Sequence, residues 1–368
     1  MINIQARELA GAFTGACATM KGRGVLSSDR RLRMVSKGNG TISIESFASG
    51  TFSKHILTVE GADQEFDICL PAPMCSGIAP FMKDGMVELE VVSTTHVEIK
   101  IHDDDSDSSW SIPMVWDEWL GPTIPPVKGS SIVVPAQSLL EAINATNWTL
   151  ASKLGKVEQD GLSLSVTSHA LIVTGASSAT VSIISVPGED ASMDEIKSAA
   201  ITRESIPGLT TGAKDYYGDI MVTIGRAFVR FTGEDFDIVA PVLMERFREY
   251  HKLIPAEFES SAKLSTSEVK SAVRSALAIH DRTGPVRGEL VVDGDNLMVG
   301  ITAESDARSS FVKCGADTDG EHIAMAVDMV KFYDMVSAMI GDQFTLSTFK
   351  SSVVARCANQ VCLLIGMR

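Results

Sequence analysis

The chain has 368 residues, 45% of them hydrophobic, and a formal net charge of −15. That length suits two or three domains with ample material for cores, and no run of about 18 apolar residues is present to cross a membrane. The acidic balance argues against a protein that grips nucleic acid through bulk charge.

The N-terminal residues Met1-Ile2-Asn3-Ile4 run straight into an amphipathic pattern, without the basic start and long apolar stretch of a secretion signal, so a cytoplasmic protein is expected. A helix is predicted over 5–21, with Leu9, Ala10, Phe13 and Cys17 at helical spacing. Residues 71–83 carry Pro73, Gly77 and Pro80, which propensity alone rejects as a regular helix. Two strands follow over 86–101 around Ser93-Thr94-Thr95, then an acidic turn at 103–107 and a strand over 110–114. That turn lacks the Gly at position six and the Glu at position twelve of a calcium loop, and it reads as a hairpin. Gly121-Pro122-Thr123-Ile124-Pro125-Pro126 marks a linker.

The next helix, over 135–156, opens on Pro135 and carries Leu139, Leu140, Ile143, Leu150 and Leu154. Residues 202–214 contain Pro207-Gly208 and repeat the weak helix of 71–83. Strands follow over 220–232 around Gly225-Arg226 and over 236–241, and a second boundary falls near 250–261. Ser265-x-x-Glu268 is a capping box that opens a helix over 265–281. A hairpin turns through Asp293-Gly294-Asp295-Asn296, an apolar helix spans 326–340, and strands fill 344–357 and 361–366.

One order of elements recurs along this list: strand, helix, then more strands. Its starting strands are anchored at Ile4, Ile68, Val133, Ile201, Leu264 and Ile323, at spacings of 64, 65, 68, 63 and 59 residues. Such a period exceeds the roughly 20–50 residues of solenoid repeats and suggests six half-domains paired into three similar domains. The repeat is also the reason to keep short, irregular helices at 71–83 and 202–214.

Catalytic chemistry is not legible. There is no G-x-G-x-x-G, Walker A, H-E-x-x-H or G-x-S-x-G pattern, and the seven histidines are isolated. The six cysteines, at 17, 69, 75, 314, 357 and 362, form no C-x-x-C pair and read as reduced core residues rather than a zinc site. Lys21, Arg23, Lys83, Lys153, Lys156, Arg203, Lys214, Lys270 and Arg274 all fall on or at the ends of the predicted helices. They read either as ordinary solvated helix faces or, if the helices share one surface, as a weakly positive lining inside an acidic body.

Three segments carry a family resemblance. Glu249-Tyr250-His251-Lys252-Leu253-Ile254-Pro255 resembles a Tyr-Arg-x-Ile/Leu-Pro junction, the tail Leu363-Leu364-Ile365-Gly366-Met367-Arg368 resembles V-V-M-P-M-R-L, and Phe66-Asp67-Ile68-Cys69-Leu70-Pro71-Ala72 resembles a strand entering a helix. Together with the repeat, they resemble the bacterial DNA polymerase III beta subunit, the sliding clamp, over essentially the whole chain. The resemblance implies an α+β fold of three similar domains (1–125, 126–254 and 255–368), each a doubled strand–helix–strands unit, with helices lining a ring and sheets outside. It implies a non-enzymatic, head-to-tail homodimer around double-stranded DNA, with no cofactor, metal or membrane, and with replicative polymerase, clamp loader and other short-motif proteins as partners. The nine cations above would face DNA.

A partner-peptide pocket is implied at Ala176, Val181, Lys252, Leu253, Leu363, Leu364, Ile365, Gly366, Met367 and Arg368, and a dimer interface at Trp110, Ile279 and His280. Departures are plain: the family's T-D-G-H-R-L falls on Ala176-Ser177-Ser178-Ala179-Thr180-Val181, Gly366 stands where Pro is usual, and the final Leu is missing. A scaffold protein of the same fold that does not encircle DNA is the alternative.

Overall fold

In the computed structural model, the structure describes residues 2–21, 30–60, 65–103, 106–115, 123, 126–150, 161–243, 250–280, 284–303, 308–320 and 323–367. All six anchor residues lie in strands that lead into helices. Ile2–Gln5 enters α1 (Ala6–Ala18), Glu65–Pro71 enters α2 (Ala72–Ile78), and Gly129–Pro135 enters α3 (Ala136–Thr146). Ser198–Thr202 enters α4 (Ile206–Gly212) through a 3-10 turn at Arg203–Ser205, Ser260–Ser265 enters α5 (Thr266–Ala276), and Ile323–Asp328 enters α6 (Met329–Ser337).

The helix ends follow local chemistry. Ser265 caps α5 by accepting from the Glu268 N–H at 3.5 Å, and Asp328 caps α6 by accepting from the Val330 N–H at 3.0 Å. That cap corrects the expectation of a helix over 326–340. Ala326 and Val327 are helix-compatible, but they pair with Glu289 and Gly288 in a sheet, and α6 begins only after Asp328. The weak helices α2 and α4 are seven residues each, with Pro in the first turn, where its missing N–H leaves no partner unsatisfied. The helix expected over 135–156 is regular only to Thr146, continues as a 3-10 turn to Thr149, and otherwise runs into residues outside the described ones.

The chain divides into two compact units. The first comprises Met1–Leu140, Ser165–Ala170 and Pro187–Met244. One of its sheets has four strands, in the order Ile2–Gln5, Met86–Val91, His96–Asp103, Ser106–Pro113. The Asp103↔Ser106 pair closes the acidic segment as a hairpin. The other sheet has nine strands, and it is continuous because Phe236–Pro241 pairs with Thr51–Thr58, with Ile238 opposite Ser53. Alternation puts Leu32 and Met34, then Ile42 and Ile44, on the inner side, where they meet Leu9 and Phe13 of α1 in one core.

The second unit comprises Glu141–Leu164, Leu171–Val186 and Glu245–Arg368. Here Thr180–Pro187 pairs with Gln360–Ile365, with Cys362 opposite Ser182, and the sheet continues through Ser352–Cys357, Gln343–Phe349 and Ser260–Ser265. A four-stranded sheet runs in the order Arg308–Gly315, Asn296–Ala303, Arg287–Asp293, Ile323–Asp328. Val273 of α5 and Phe332 of α6 pack with Leu290, Val299, Phe344 and Leu346 as the core.

Candidate functional site

Within the second unit, a small apolar cluster stands apart from the core. It contains Ala176, Val181, Tyr250, Val354 and Leu363, with Ile183, Phe258 and Val361 packed on it. Strand register explains the grouping. Val181 lies opposite Leu363, Ile183 opposite Val361, and Leu363 opposite Val354, so alternate residues of three neighbouring strands share one face. Val353, Ala355, Cys362 and Leu364 point the other way, into the core. Of the sequence-derived pocket residues, Ala176, Val181 and Leu363 therefore come together, and Leu364 does not.

The segment after Tyr250 is held on this face. The Arg356 guanidinium sits 4.2 Å from the centroid of the Phe258 ring, and its Nη2 donates to the Pro255 carbonyl at 3.4 Å. Leu253 and Ile365 present large apolar side chains to solvent, 55% and 41% exposed, and Lys252 is exposed beside Leu253. Arg368 lies outside the described residues.

The tail is fixed by backbone bonds. The N–H groups of Ile365, Gly366 and Met367 donate to the carbonyls of Ala179 (2.9 Å), Ser351 (2.7 Å) and Ala326 (2.8 Å). A Cβ on Gly366 would lie 2.9 Å from both the Ala326 and Ser351 oxygens, closer than real Cβ contacts come. The glycine in place of the usual proline thus has a local cause. Gly366→Pro is expected to lose the Ser351 bond and displace the tail, costing about 1–3 kcal/mol, seen as faster amide exchange over 363–367 and a lower urea midpoint.

The comparable face in the first unit carries a row of charges. Asp237 lies opposite Lys54, which lies opposite Glu45, which lies opposite Arg33. Ion pairs Arg230–Asp237 (2.6 Å), Lys54–Glu45 (3.2 Å), Arg33–Glu45 (3.2 Å) and Arg33–Asp67 (2.6 Å) run across it. Two residues along the same strands, Val239 lies opposite Phe52 and Phe52 opposite Phe47, so this face sets an apolar group beside its ion pairs.

Among the sequence-derived cations, Lys83, Arg203, Lys214, Lys270 and Arg274 are exposed. Lys270 and Arg274 lie one turn apart on α5, whose buried side carries Val269, Ala272, Val273 and Ala276. Lys21 ends the 3-10 turn Thr19–Lys21, and Arg23, Lys153 and Lys156 lie outside the described residues. Arg7 of α1 is a further exposed cation, donating to the Lys83 carbonyl at 2.8 Å and pairing with Asp84 at 2.8 Å.

Both four-stranded sheets end in unpaired strands among the described residues. Trp110 lies in the terminal strand Ser106–Pro113, half-buried against the first unit's core and opposite Ile99. In the second unit, Arg308–Gly315 is terminal and carries Phe311 at 72% exposure. Near it, Ser310 Oγ donates to the Ala276 carbonyl at 2.7 Å and lies 3.4 Å from His280 Nε2. Ile279 is 48% exposed. Phe311, Ile183, Val354, Val361 and Phe258 escape the sequence reading. Period-two alternation finds Ile183 and Val361 only once the pairing of Val181 with Leu363 is known.

No protein-family model and no curated protein matches the chain. Solved structures do. The chain is similar to the DNA polymerase III beta subunit of Thermotoga maritima, with a TM-score of 0.85 at 13% identity over 100% of both chains. The beta subunit of Pseudomonas aeruginosa gives 0.84 at 15% over 100% of both. The Helicobacter pylori beta clamp bound to a DNA ligase peptide gives 0.82 at 16%, again over 100% of both. The fold is that of the DNA clamps.

Proposed function

We propose that this chain is a sliding clamp: two copies close head-to-tail around duplex DNA, and the apolar face over Val181 and Leu363 takes short peptide segments of the proteins it tethers. The observation that carries this reading is full-length similarity of fold to solved beta subunits in a chain whose two four-stranded sheets keep open edges. Six half-units pair into three domains, 1–125, 126–254 and 255–368, and the helices of each face the DNA.

Topological tethering also fits the charge. A ring needs no tight phosphate grip, so an acidic body with a net charge of −15 is tolerable, and exposed cations such as Lys270 and Arg274 make weak, salt-sensitive contacts. The same acidity suits a scaffold of this fold that never encircles DNA, and one experiment separates the two. The protein is loaded onto nicked circular DNA with a cognate loader and ATP, then isolated by gel filtration before and after the circle is cut. Retention on the circle and loss from the cut ends is expected. Equal retention on both would mean direct binding, and failure to load with a dimer intact would favour the scaffold.

For the peptide face, Leu253→Asp and Ile365→Asp are expected to weaken binding of a DNA ligase peptide at least ~10-fold, because each replaces exposed apolar area with a solvated charge. Fluorescence anisotropy checks this. Leu253 is 55% exposed, so Leu253→Asp should barely move the melting temperature, whereas Ile365→Asp, at a position 41% exposed in a strand, should lower it somewhat more.

A further inference from the structure

Strand register sets a cation at each end of the apolar docking face. At its centre Leu363 lies opposite Val354. Two residues along these strands, Val361 lies opposite Arg356. Two residues the other way, Ile365 lies opposite Ser352, and Ser352 opposite Phe349, after which Lys350 stands in the turn.

Both cations rest on aromatic rings. The Arg356 guanidinium is 4.2 Å from the centroid of Phe258, and the Lys350 ammonium is 5.1 Å from that of Phe349. Among the described residues neither belongs to an ion pair. Glu257 and Glu259 flank Phe258 and are exposed, yet Glu259 accepts the Lys350 backbone N–H at 3.2 Å and leaves the ammonium uncovered. The only hydrogen bond from Arg356 among the described residues is the 3.4 Å one to the Pro255 carbonyl. On the comparable face of the first unit, by contrast, Arg33, Lys54 and Arg230 each pair with a carboxylate of their own.

Stacking fixes such a cation while leaving most of its N–H groups free. A guanidinium held flat on a ring is set for the two parallel bonds that a carboxylate accepts, and it loses little further freedom in making them. Positions 350 and 356 are six residues apart, at most ~20 Å along a strand, which an extended peptide of about six residues spans.

Resting on the peptide-docking reading above, we propose that this face selects acidic segments. The docked peptide lays an apolar side chain against Ile365 and gives a carboxylate to Arg356 at one end and to Lys350 at the other. Arg356 and Lys350 are then specificity-determining residues of the pocket. The body of the protein predicts the reverse: at a net charge of −15 it attracts basic peptides and repels acidic ones. A preference for acid therefore has to come from the local pair.

The probe is a DNA ligase peptide extended at both ends by two aspartates, two asparagines or two lysines, followed by fluorescence anisotropy at fixed salt. The aspartate form is expected to bind roughly 5-fold tighter than the asparagine form, the lysine form weakest, with the differences shrinking as salt is added. R356Q/K350Q should erase the advantage of aspartate and make the lysine form the tightest. K350Q alone changes an exposed turn residue, so it should lose about half of the advantage at an unchanged melting temperature, whatever R356Q does to the fold. Equal binding of the aspartate and asparagine forms by the wild type, or a preference that survives in R356Q/K350Q, would overturn the selection. Binding of the unextended peptide that Leu253→Asp leaves untouched would instead overturn the pocket reading, and this inference with it.

Discussion

Trp110→Asp is expected to convert the dimer to a monomer in sedimentation velocity and to abolish retention on circular DNA. The indole is half-buried in an edge strand and packs on the first unit's core beside Ile99. In a closed ring its remaining surface would be covered by the second copy. An aspartate there would bring an unpaired carboxylate into that contact, and burying a polar group without a partner costs about 2–7 kcal/mol, more for a charge. A head-to-tail ring has two such seams, so even about 3 kcal/mol at each would shift the dimer equilibrium by roughly four orders of magnitude. Trp110→Phe keeps the apolar contact and should remain a dimer, which separates loss of the seam from loss of the aromatic as such. A dimer unchanged by Trp110→Asp would remove this residue from the interface.

The sequence carries the fold where signals are local or repeated. All six anchor residues found their strands, since each strand alternates or runs apolar and leads into a helix. The repeat outweighed propensity at α2 and α4: each is short, and tertiary packing of Cys75 and Ile78, or of Ile206 and Leu209, supplies what intrinsic preference does not. The apolar pattern, by contrast, misplaced the start of α6, because Ala326 and Val327 suit either state and only the non-local pairing with Gly288 and Glu289 decides between them.

The pocket shows the same division. Leu363 and Leu364 look equivalent in sequence, yet one step along a strand reverses the face, sending Leu363 to the satellite cluster and Leu364 to the core. Which face is which depends on the long-range pairing of Thr180–Pro187 with Gln360–Ile365, and no local pattern contains that pairing. The glycine that replaces proline at 366 likewise looked like a loss of family character. The carbonyls of Ala326 and Ser351 give it a steric reason.

The first unit is expected to lose about 3 kcal/mol of stability as the pH falls from 6.5 to 4, through one histidine. His55 lies on Thr51–Thr58, where that strand meets Phe236–Pro241, and is opposite Phe236. It is 6% exposed, its Nε2 is 3.1 Å from Ser53 Oγ, and a Cβ on Gly15 of α1 would lie 2.7 Å from its ring. Burial pushes its pKa down from 6.5 to about 4, because a charged imidazolium is poorly solvated there. The unfolded chain takes up the proton near pH 6.5 and the folded one only near 4, so acid favours unfolding between those values. The stabilisation is complete above pH 6.5, falls through that window, and is flat below about 4, at about 1.4 kcal/mol per pH unit. Urea midpoints at pH 7.5 and 4.5 for the wild type and His55→Gln isolate this contribution, since carboxylate titrations are common to both and cancel in the difference. The wild type should lose markedly more stability than the variant, and parallel losses would mean that His55 titrates as it does in water. Because the same strand pair joins the two halves of the nine-stranded sheet, the acid-sensitive element is the first in-chain seam itself.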